Sequence, residues 1–403
     1  MLDHSNFRSR RFDRIVSIAF MASIWLPLLV MLLPSNSAVT DENRELAKFP
    51  GIGGTEISRT QFTNYLNDNL AFRSQFVRTH SIVKSKFHAS NRRVIYGKND
   101  WLFIRTPTTL RNYNGEFVPQ KDDIDKWRRA LAQRADYLAE RDVYYGFVAI
   151  PDKPFVYPEF LPAAMKRKPG GSHAERLLAS LEQEFHVIQL FDGLLAAKET
   201  GELYYPRDTH WNGRGISVGY EAIIAQLGKF VPDFANERPC EHKVNVLRNK
   251  PHKNDLDRLV GSNSESPVPK VYAMPRRPRA SLVSVPERYI ELEDYYSKNK
   301  RAVAIYENPA PHVKGRRLVM FHTSFSEGAL RGLLAEHFER AVFVRHTPEH
   351  VLAFHKRIVE ETNPTLVLNE IPTRYLARNP TVAYRVEEWN DTPRIATQPK
   401  NRK

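Results

Sequence analysis

Asp208-Thr209-His210-Trp211-Asn212 sets a carboxylate two residues before an imidazole, and His322-Thr323-Ser324-Phe325-Ser326 offers a serine far downstream. A serine hydroxyl attacks a carbonyl well only when a base takes its proton and a third group fixes the base's tautomer. Ser324, His210 and Asp208 are the three types required: nucleophile, base and acceptor. On an extended segment, side chains two apart leave the same face, which brings Asp208 to the imidazole of His210. The same spacing also serves a metal-ligand pair or a loop hydrogen bond. His242, His252, His312 and His322 are scattered and no HExxH or CxxC accompanies them, so neither a metal nor another cofactor is expected.

The elements around the serine give it a place. Arg317 to Phe321 reads as a strand and Glu327 to His337 as a helix, which puts Ser324 at the carboxyl edge of a sheet, where open α/β folds keep their sites. Backbone N–H groups at the start of that helix can bind the oxyanion formed when a serine adds to an ester. A serine helix cap has the same local sequence. Trp211, Tyr157 and Trp101 offer flat faces to sugars, and Lys153, Arg207 and His322 are further candidates for substrate contact; such residues also serve as structural side chains.

The remaining pattern alternates strands and helices. Phe62, Tyr65, Leu66, Leu70 and Phe72 recur at near-helical spacing and continue into Gln75-Phe76-Val77. Two apolar runs from Val94 to Ile104 flank Gly97-Lys98-Asn99-Asp100, the mark of a β-hairpin. Helices are expected over Lys121 to Glu140, Ala174 to Glu184, Arg214 to Phe230 and His350 to Glu361. Strands are expected over Val143 to Ile150, His186 to Phe191, Ala341 to Arg345 and Thr365 to Asn369. Residues 245–300, rich in Pro, Lys, Arg and Ser with little periodicity, read as a long surface insertion. The whole is an α/β layered fold with a mostly parallel central sheet.

The 403 residues, 41% hydrophobic and 26% charged, are those of a globular chain. Ile15 to Leu33 lacks a charged residue and spans roughly 28 Å as a helix, near the hydrocarbon thickness of a bilayer. Arg8, Arg10, Arg11 and Arg14 precede it and Asp41 and Glu42 follow, so a single-pass anchor with an exported domain is expected. Asn36-Ser37-Ala38 matches a signal-peptidase site poorly, which favours an uncleaved segment. Cys240 is the only cysteine, so no intramolecular disulfide forms, in keeping with a bacterial periplasm. A formal charge of +14 favours an anionic partner, and export makes nucleic acid the least fitting one. The expected organisation is residues 1–38 as cytoplasmic tip and anchor, 39–95 as a juxtamembrane helical segment, 96–375 as the globular domain and 376–403 as a basic tail.

Asp208-Thr209-His210-Trp211-Asn212 resembles the D-x-H-W-N element of the alginate O-acetyltransferase family. Tyr96-Gly97-Lys98-Asn99-Asp100-Trp101-Leu102-Phe103, Pro151-Asp152-Lys153 with Val156-Tyr157-Pro158-Glu159, Glu42-Asn43-Arg44 and Asn254-Asp255-Leu256 resemble that family's recurring segments. The resemblance covers residues 42 to 375 and implies an SGNH-hydrolase-like, flavodoxin-type fold in which aspartate and histidine precede the nucleophilic serine. It implies acetyl transfer to hydroxyls of an exported polysaccharide such as alginate, with a multipass membrane acyltransferase of the bacterial inner membrane as the acetyl supplier. An SGNH-type acetylesterase and a non-catalytic polysaccharide-binding component are the alternatives. The family's serine element usually reads Gly-Asp-Ser-Phe; here His322 and Thr323 stand where the glycine and the acid would be.

Overall fold

The structure is a computed structural model that describes residues 14–23, 25–26, 59–69, 93–165, 167–260, 269–286, 303–346, 352, 354–378 and 380. The chain divides into two compact units, residues 1–91 with 257–264, and residues 92–256 with 265–403. In the first unit, residues 14–23 are helical with exposed side chains, and a second helix spans Arg59–Asn69. Among the described residues no helix is long and apolar enough to cross a membrane. The spanning helix expected over Ile15 to Leu33 is therefore not found there; its part from residue 27 onward lies outside the described residues, as do Leu70 to Val77 and most of the tail.

The second unit is built on a seven-stranded sheet. Its strands are β3 (Tyr144–Ile150), β4 (Val187–Gln189), β7 (Ser281–Val283), β8 (Val303–Glu307), β9 (Arg317–His322), β10 (Arg340–Arg345) and β11 (Leu366–Pro372), in the order β4-β3-β11-β9-β10-β8-β7. The first five in that order run parallel, whereas β8 and β7 add antiparallel pairs at one edge. Runs such as Tyr145 to Ile150 and Leu366 to Pro372 are buried along their whole length because helices cover both faces of a parallel sheet. The helix Lys121–Ala139 turns Trp127, Leu131 and Leu138 into the core. The helix His173–Leu181 is fixed at its start by a reciprocal pair, Glu175 N–H donating to Ser172 Oγ at 3.1 Å and Ser172 N–H to Glu175 Oε2 at 2.8 Å.

The expected hairpin is present as β1 (Val94–Tyr96) and β2 (Leu102–Ile104), paired antiparallel. Within the region expected to be an irregular insertion, the described residues are more ordered than their composition implies. β5 (His242–Pro251) and β6 (Pro269–Pro275) pair as a second antiparallel ribbon, and β7 joins the main sheet. The stretch after β4 also departs from expectation, since the strand stops at Gln189 and a helix takes Phe191–Ala197.

The sheet places three chain segments together. β3, β9 and β11 are parallel, with Phe147 opposite Asn369 and Asn369 opposite Phe321. Their carboxyl ends therefore deliver Asp152, Ser324 and Arg374 to one edge of the sheet.

Candidate active site

Asp208, Thr209 and His210 occupy the tip of a turn closed by the bridge between Tyr204 and Trp211. This differs from the extended segment expected, and the cause is Asp208 itself. Its Oδ1 accepts the backbone N–H of His210 at 2.9 Å and lies 2.7 Å from His210 Nδ1, so one oxygen folds the turn and holds the ring. Asn212 then caps the helix Gly213–Leu227, its Oδ1 accepting from Arg214 N at 2.8 Å and Gly215 N at 3.3 Å. The indole N–H of Trp211 donates to the carbonyl of Phe325 at 2.8 Å, tying the histidine turn to the serine turn. The Trp211 ring lies so close to Gly219 that a Cβ there would stand 2.5 Å from it.

Ser324 opens a single 3-10 turn, Ser324–Ser326, after β9. Its Oγ is 2.8 Å from His210 Nε2, which completes a hydrogen-bonded line from Asp208 through His210 to Ser324. A carboxylate only accepts, so Nδ1 carries the ring proton in neutral His210 and Nε2 accepts from the serine hydroxyl. The hydroxyl is thus turned to the imidazole and does not cap a helix. The helix expected from Glu327 begins at Ala329, after Gly328 at φ 73°, and ends at Ala335.

Beneath this turn Glu370 of β11 accepts from Thr323 N at 2.9 Å, Thr323 Oγ1 at 2.8 Å and Ser326 Oγ at 2.8 Å. Thr323 is thus held by an acid reaching in from the neighbouring strand. His322 is fully buried, with Nδ1 2.7 Å from the Thr323 carbonyl and its ring edge-on to Phe343. It cannot meet a substrate, which corrects its place among the candidate contacts.

Asp208 is gripped from behind as well. Its Oδ2 accepts from His252 Nε2 at 3.0 Å and from Asp255 N at 2.8 Å. Asp255 in turn accepts from Thr209 N at 2.8 Å and from the Thr209 hydroxyl. Lys153 is buried and donates to the carbonyls of Tyr205 at 3.0 Å, Pro206 at 2.8 Å and Asp208 at 2.6 Å, so it shapes the turn and does not face a polymer. Its neighbour Asp152 forms an ion pair with Arg374 Nε at 3.1 Å and accepts from Arg374 N at 2.5 Å. The Arg374 guanidinium lies 5.2 Å from the Phe325 ring centroid. Consecutive residues of Pro151-Asp152-Lys153 therefore hold the two sides of the site.

Three other candidates are structural in the same way. Trp101 is buried in a stack on Phe160 with centroids 4.3 Å apart, and Tyr157 is buried with its hydroxyl accepting from Leu203 N at 2.8 Å. Trp211 is likewise buried. Their rings fill the core, where large aromatics remove most apolar surface from water, so none presents a flat face to a sugar. Arg207 pairs with Asp100 of the β1–β2 turn.

The electrostatics follow from this packing. Burial alone would raise Asp208, but the charge and hydrogen bonds of His210 and His252 hold it well below the usual carboxylate range. Burial would lower His210, and the Asp208 carboxylate reverses that, leaving the imidazole raised. Burial brings Lys153 down to about 7 against the pull of Asp208, and raises Glu370 to about 7. His322 is pushed well below its ordinary value by burial. Asp208, His210 and Asp255 lie close enough to one another to hold a metal ion. All four carboxylate oxygens already accept protein donors, so the group is satisfied as a hydrogen-bond network.

Sequence reasoning named the line of three and missed the residues that hold it: His252, Asp255, Asp152, Arg374 and Glu370. Two of them carried a signal, because Pro151-Asp152-Lys153 and Asn254-Asp255-Leu256 stood out as segments. Glu370 and Arg374 reach the site only through strand order, and His252 through the end of the β5–β6 ribbon, neither of which a local pattern encodes.

The layered α/β fold with its mostly parallel sheet fits that of an SGNH hydrolase-like domain. Residues 94–287 match the family described as SGNH hydrolase-like domain, acetyltransferase AlgX. A curated relative, the probable alginate O-acetylase AlgJ of Pseudomonas syringae pv. tomato, is 24% identical over 172 residues, 40% of this chain and 40% of that protein. The chain is thus similar to a protein of that description over a stretch that spans 40% of the relative's length. Among solved structures, Bacillus cereus PatB1 shares the fold at 15% identity and a TM-score of 0.51, covering 71% of this chain and 97% of that one. The O-acetyltransferase domain of Pseudomonas putida AlgJ aligns at 18% identity and a TM-score of 0.48, covering 75% of this chain and 98% of that one.

Proposed function

We propose that this chain is an O-acetyltransferase that moves acetyl groups to hydroxyls of an exported, anionic polysaccharide through an acetyl-serine at Ser324. The observation that carries this reading is the unbroken line Asp208–His210–Ser324, with 2.7 Å and 2.8 Å between its members. In the first half-reaction His210 takes the Ser324 proton as Oγ adds to the acetyl carbonyl, then returns it to the departing oxygen of the donor. In the second, His210 takes the proton of a sugar hydroxyl, that oxygen adds to the acetyl-serine, and collapse expels Ser324 Oγ, which recovers the proton. Transfer outruns hydrolysis when the bound sugar keeps water from the ester.

The basic balance of the chain supports an anionic acceptor, and the similarity to a protein named as a probable alginate O-acetylase supports a polysaccharide. The reading includes a periplasmic site, an inner-membrane anchor and a multipass membrane acyltransferase as acetyl supplier. A protein of similar fold, Bacillus cereus PatB1, has been solved with a sulfonyl adduct. The test is a sulfonyl fluoride applied to the purified chain. Labelling at Ser324 that is lost on His210→Ala supports the acyl-serine, and equal labelling in both proteins rejects it. Incubation with an acetyl donor and polymer then separates transfer, which yields acetylated polymer, from esterase action, which yields acetate alone.

A further inference from the structure

Asp208 turns Oδ1 to His210 and Oδ2 away from the line, and Oδ2 meets His252. Because a carboxylate donates nothing, the 3.0 Å contact requires a proton on His252 Nε2, so Asp208 bridges two imidazoles through its two oxygens. His252 is itself fixed, its ring lying flat on Tyr205 with centroids 3.8 Å apart and planes within 5°. Tyr205 is fixed in turn by β6, its hydroxyl donating to the Val271 carbonyl at 3.1 Å and accepting from Val271 N at 2.9 Å. His252, next after β5, thus reaches the acid of the site, and β6 braces it through Tyr205.

We propose that His252 is a positioning residue that sets the basicity of His210 through Asp208, making the relay four-membered: His252, Asp208, His210, Ser324. The inference rests on the acyl-serine reading for its kinetic consequence. A donor on Oδ2 draws charge away from Oδ1, and the less charged Oδ1 stabilises the His210 imidazolium less. With His252 in place, His210 stays neutral and able to accept a proton at lower pH. Other groups around the acid are Asp255, whose backbone N–H shares Oδ2, Lys153, whose ammonium is on the Asp208 carbonyl, and the charge of Arg374 on the His210 side. Glu370 lies across the serine turn. None of these is removed when residue 252 is changed.

His252→Phe keeps the ring on Tyr205 and removes the donor, whereas His252→Gln restores an N–H donor. The full chain is used, with p-nitrophenyl acetate as acyl donor, and the burst of p-nitrophenol is followed across pH. Phe at 252 is expected to slow the burst about tenfold and to move its acid limb upward by about half a pH unit or more, and Gln to recover most of the rate. An unchanged acid limb in His252→Phe, or equal losses in Phe and Gln variants, overturns the proposal and leaves His252 a packing residue. NMR titration of the His210 ring provides a reading independent of turnover: its midpoint should rise in His252→Phe. If Ser324→Ala retains the burst, the acyl-serine reading fails, while the His210 midpoint still decides the role of His252.

Discussion

His210 and His337 each lie between an acid and a hydroxyl, yet only one of these rows can meet a substrate. His337 has Nδ1 2.8 Å from Glu237 Oε1 and Nε2 2.6 Å from the Tyr220 hydroxyl, a geometry as tight as that of His210. Its side chain is 2% exposed, against 28% for His210. Tyr220 also accepts the Cys240 N–H at 2.7 Å, and burial pushes its phenol far above the ordinary range. The hydrogen bond from His337, with Arg316 assisting, holds Glu237 at about 2. An acid–imidazole–hydroxyl row inside the core is a stable polar network. At the carboxyl edge of a sheet, with a serine that a single turn presents, the same row has an open side and a nucleophile able to leave and retake its proton.

The largest effect that can break this comparison is loss of the serine. Ser324→Ala should lower acyl transfer by about 10⁴-fold or more, since binding alone would remain. Circular dichroism and thermal melting should be nearly unchanged. A variant with near-normal rate would erase the distinction between the two rows.

Asp208→Asn comes next, with a loss of about 10²- to 10⁴-fold expected because an amide can present the wrong group to Nδ1 and misplace the tautomer. The sign of its pH effect is fixed by the causes at His210. Burial depresses that imidazole and the Asp208 charge raises it, so removing the charge should move the acid limb of kcat/KM to lower pH even as the plateau falls. An acid limb that stays in place would mean that another group governs it.

How far these rows were readable from sequence differs for a physical reason. Asp208, His210 and Ser324 announced themselves because a carboxylate two residues before a histidine and a serine after a strand are local patterns. The strands β3, β9, β10 and β11 were legible as apolar runs of strand length. β8 was not, although Val303 to Ile305 are buried, because the surrounding Lys-, Arg- and Pro-rich stretch masks five residues of pattern. β5 and β6 were hidden likewise, since a two-stranded ribbon half open to solvent needs little apolar alternation. Glu370 and Arg374 follow a strand that was recognised, yet only its position beside both β3 and β9 sets them under and beside the serine turn. The Glu237–His337–Tyr220 row joins three elements far apart in the chain and had no local mark.

Glu370 offers a medium-sized effect on the serine side. Its raised proton affinity in the fold means that the folded chain keeps the proton longer than the unfolded one. The stability this contributes is present at low pH and is lost as pH rises from about 4.5 to about 7, by roughly 3 kcal/mol at most. Glu370→Gln can keep all three hydrogen bonds if the Thr323 hydroxyl turns to accept, so it should flatten this slope in denaturant titrations and cost under about tenfold in rate. Glu370→Ala leaves Thr323 N–H and two hydroxyls without their acceptor, and should cost about 2–4 kcal/mol together with a larger loss of rate.

The smallest effect on rate should come from the buried row, and it bears on the comparison most directly. Tyr220→Phe removes the hydroxyl that both His337 and the Cys240 N–H use, leaving two polar groups in the core without that partner. A cost of about 1–3 kcal/mol in stability is expected, read as a lower denaturation midpoint with an unchanged slope. The burst rate and acid limb should stay within about twofold of the parent, because removing one buried hydroxyl acts on the row of His337 and not on the line that ends at Ser324. Should Tyr220→Phe instead shift the acid limb, the two rows would be coupled through the helix Gly213–Leu227, which carries Tyr220 and is capped by Asn212 two residues after His210.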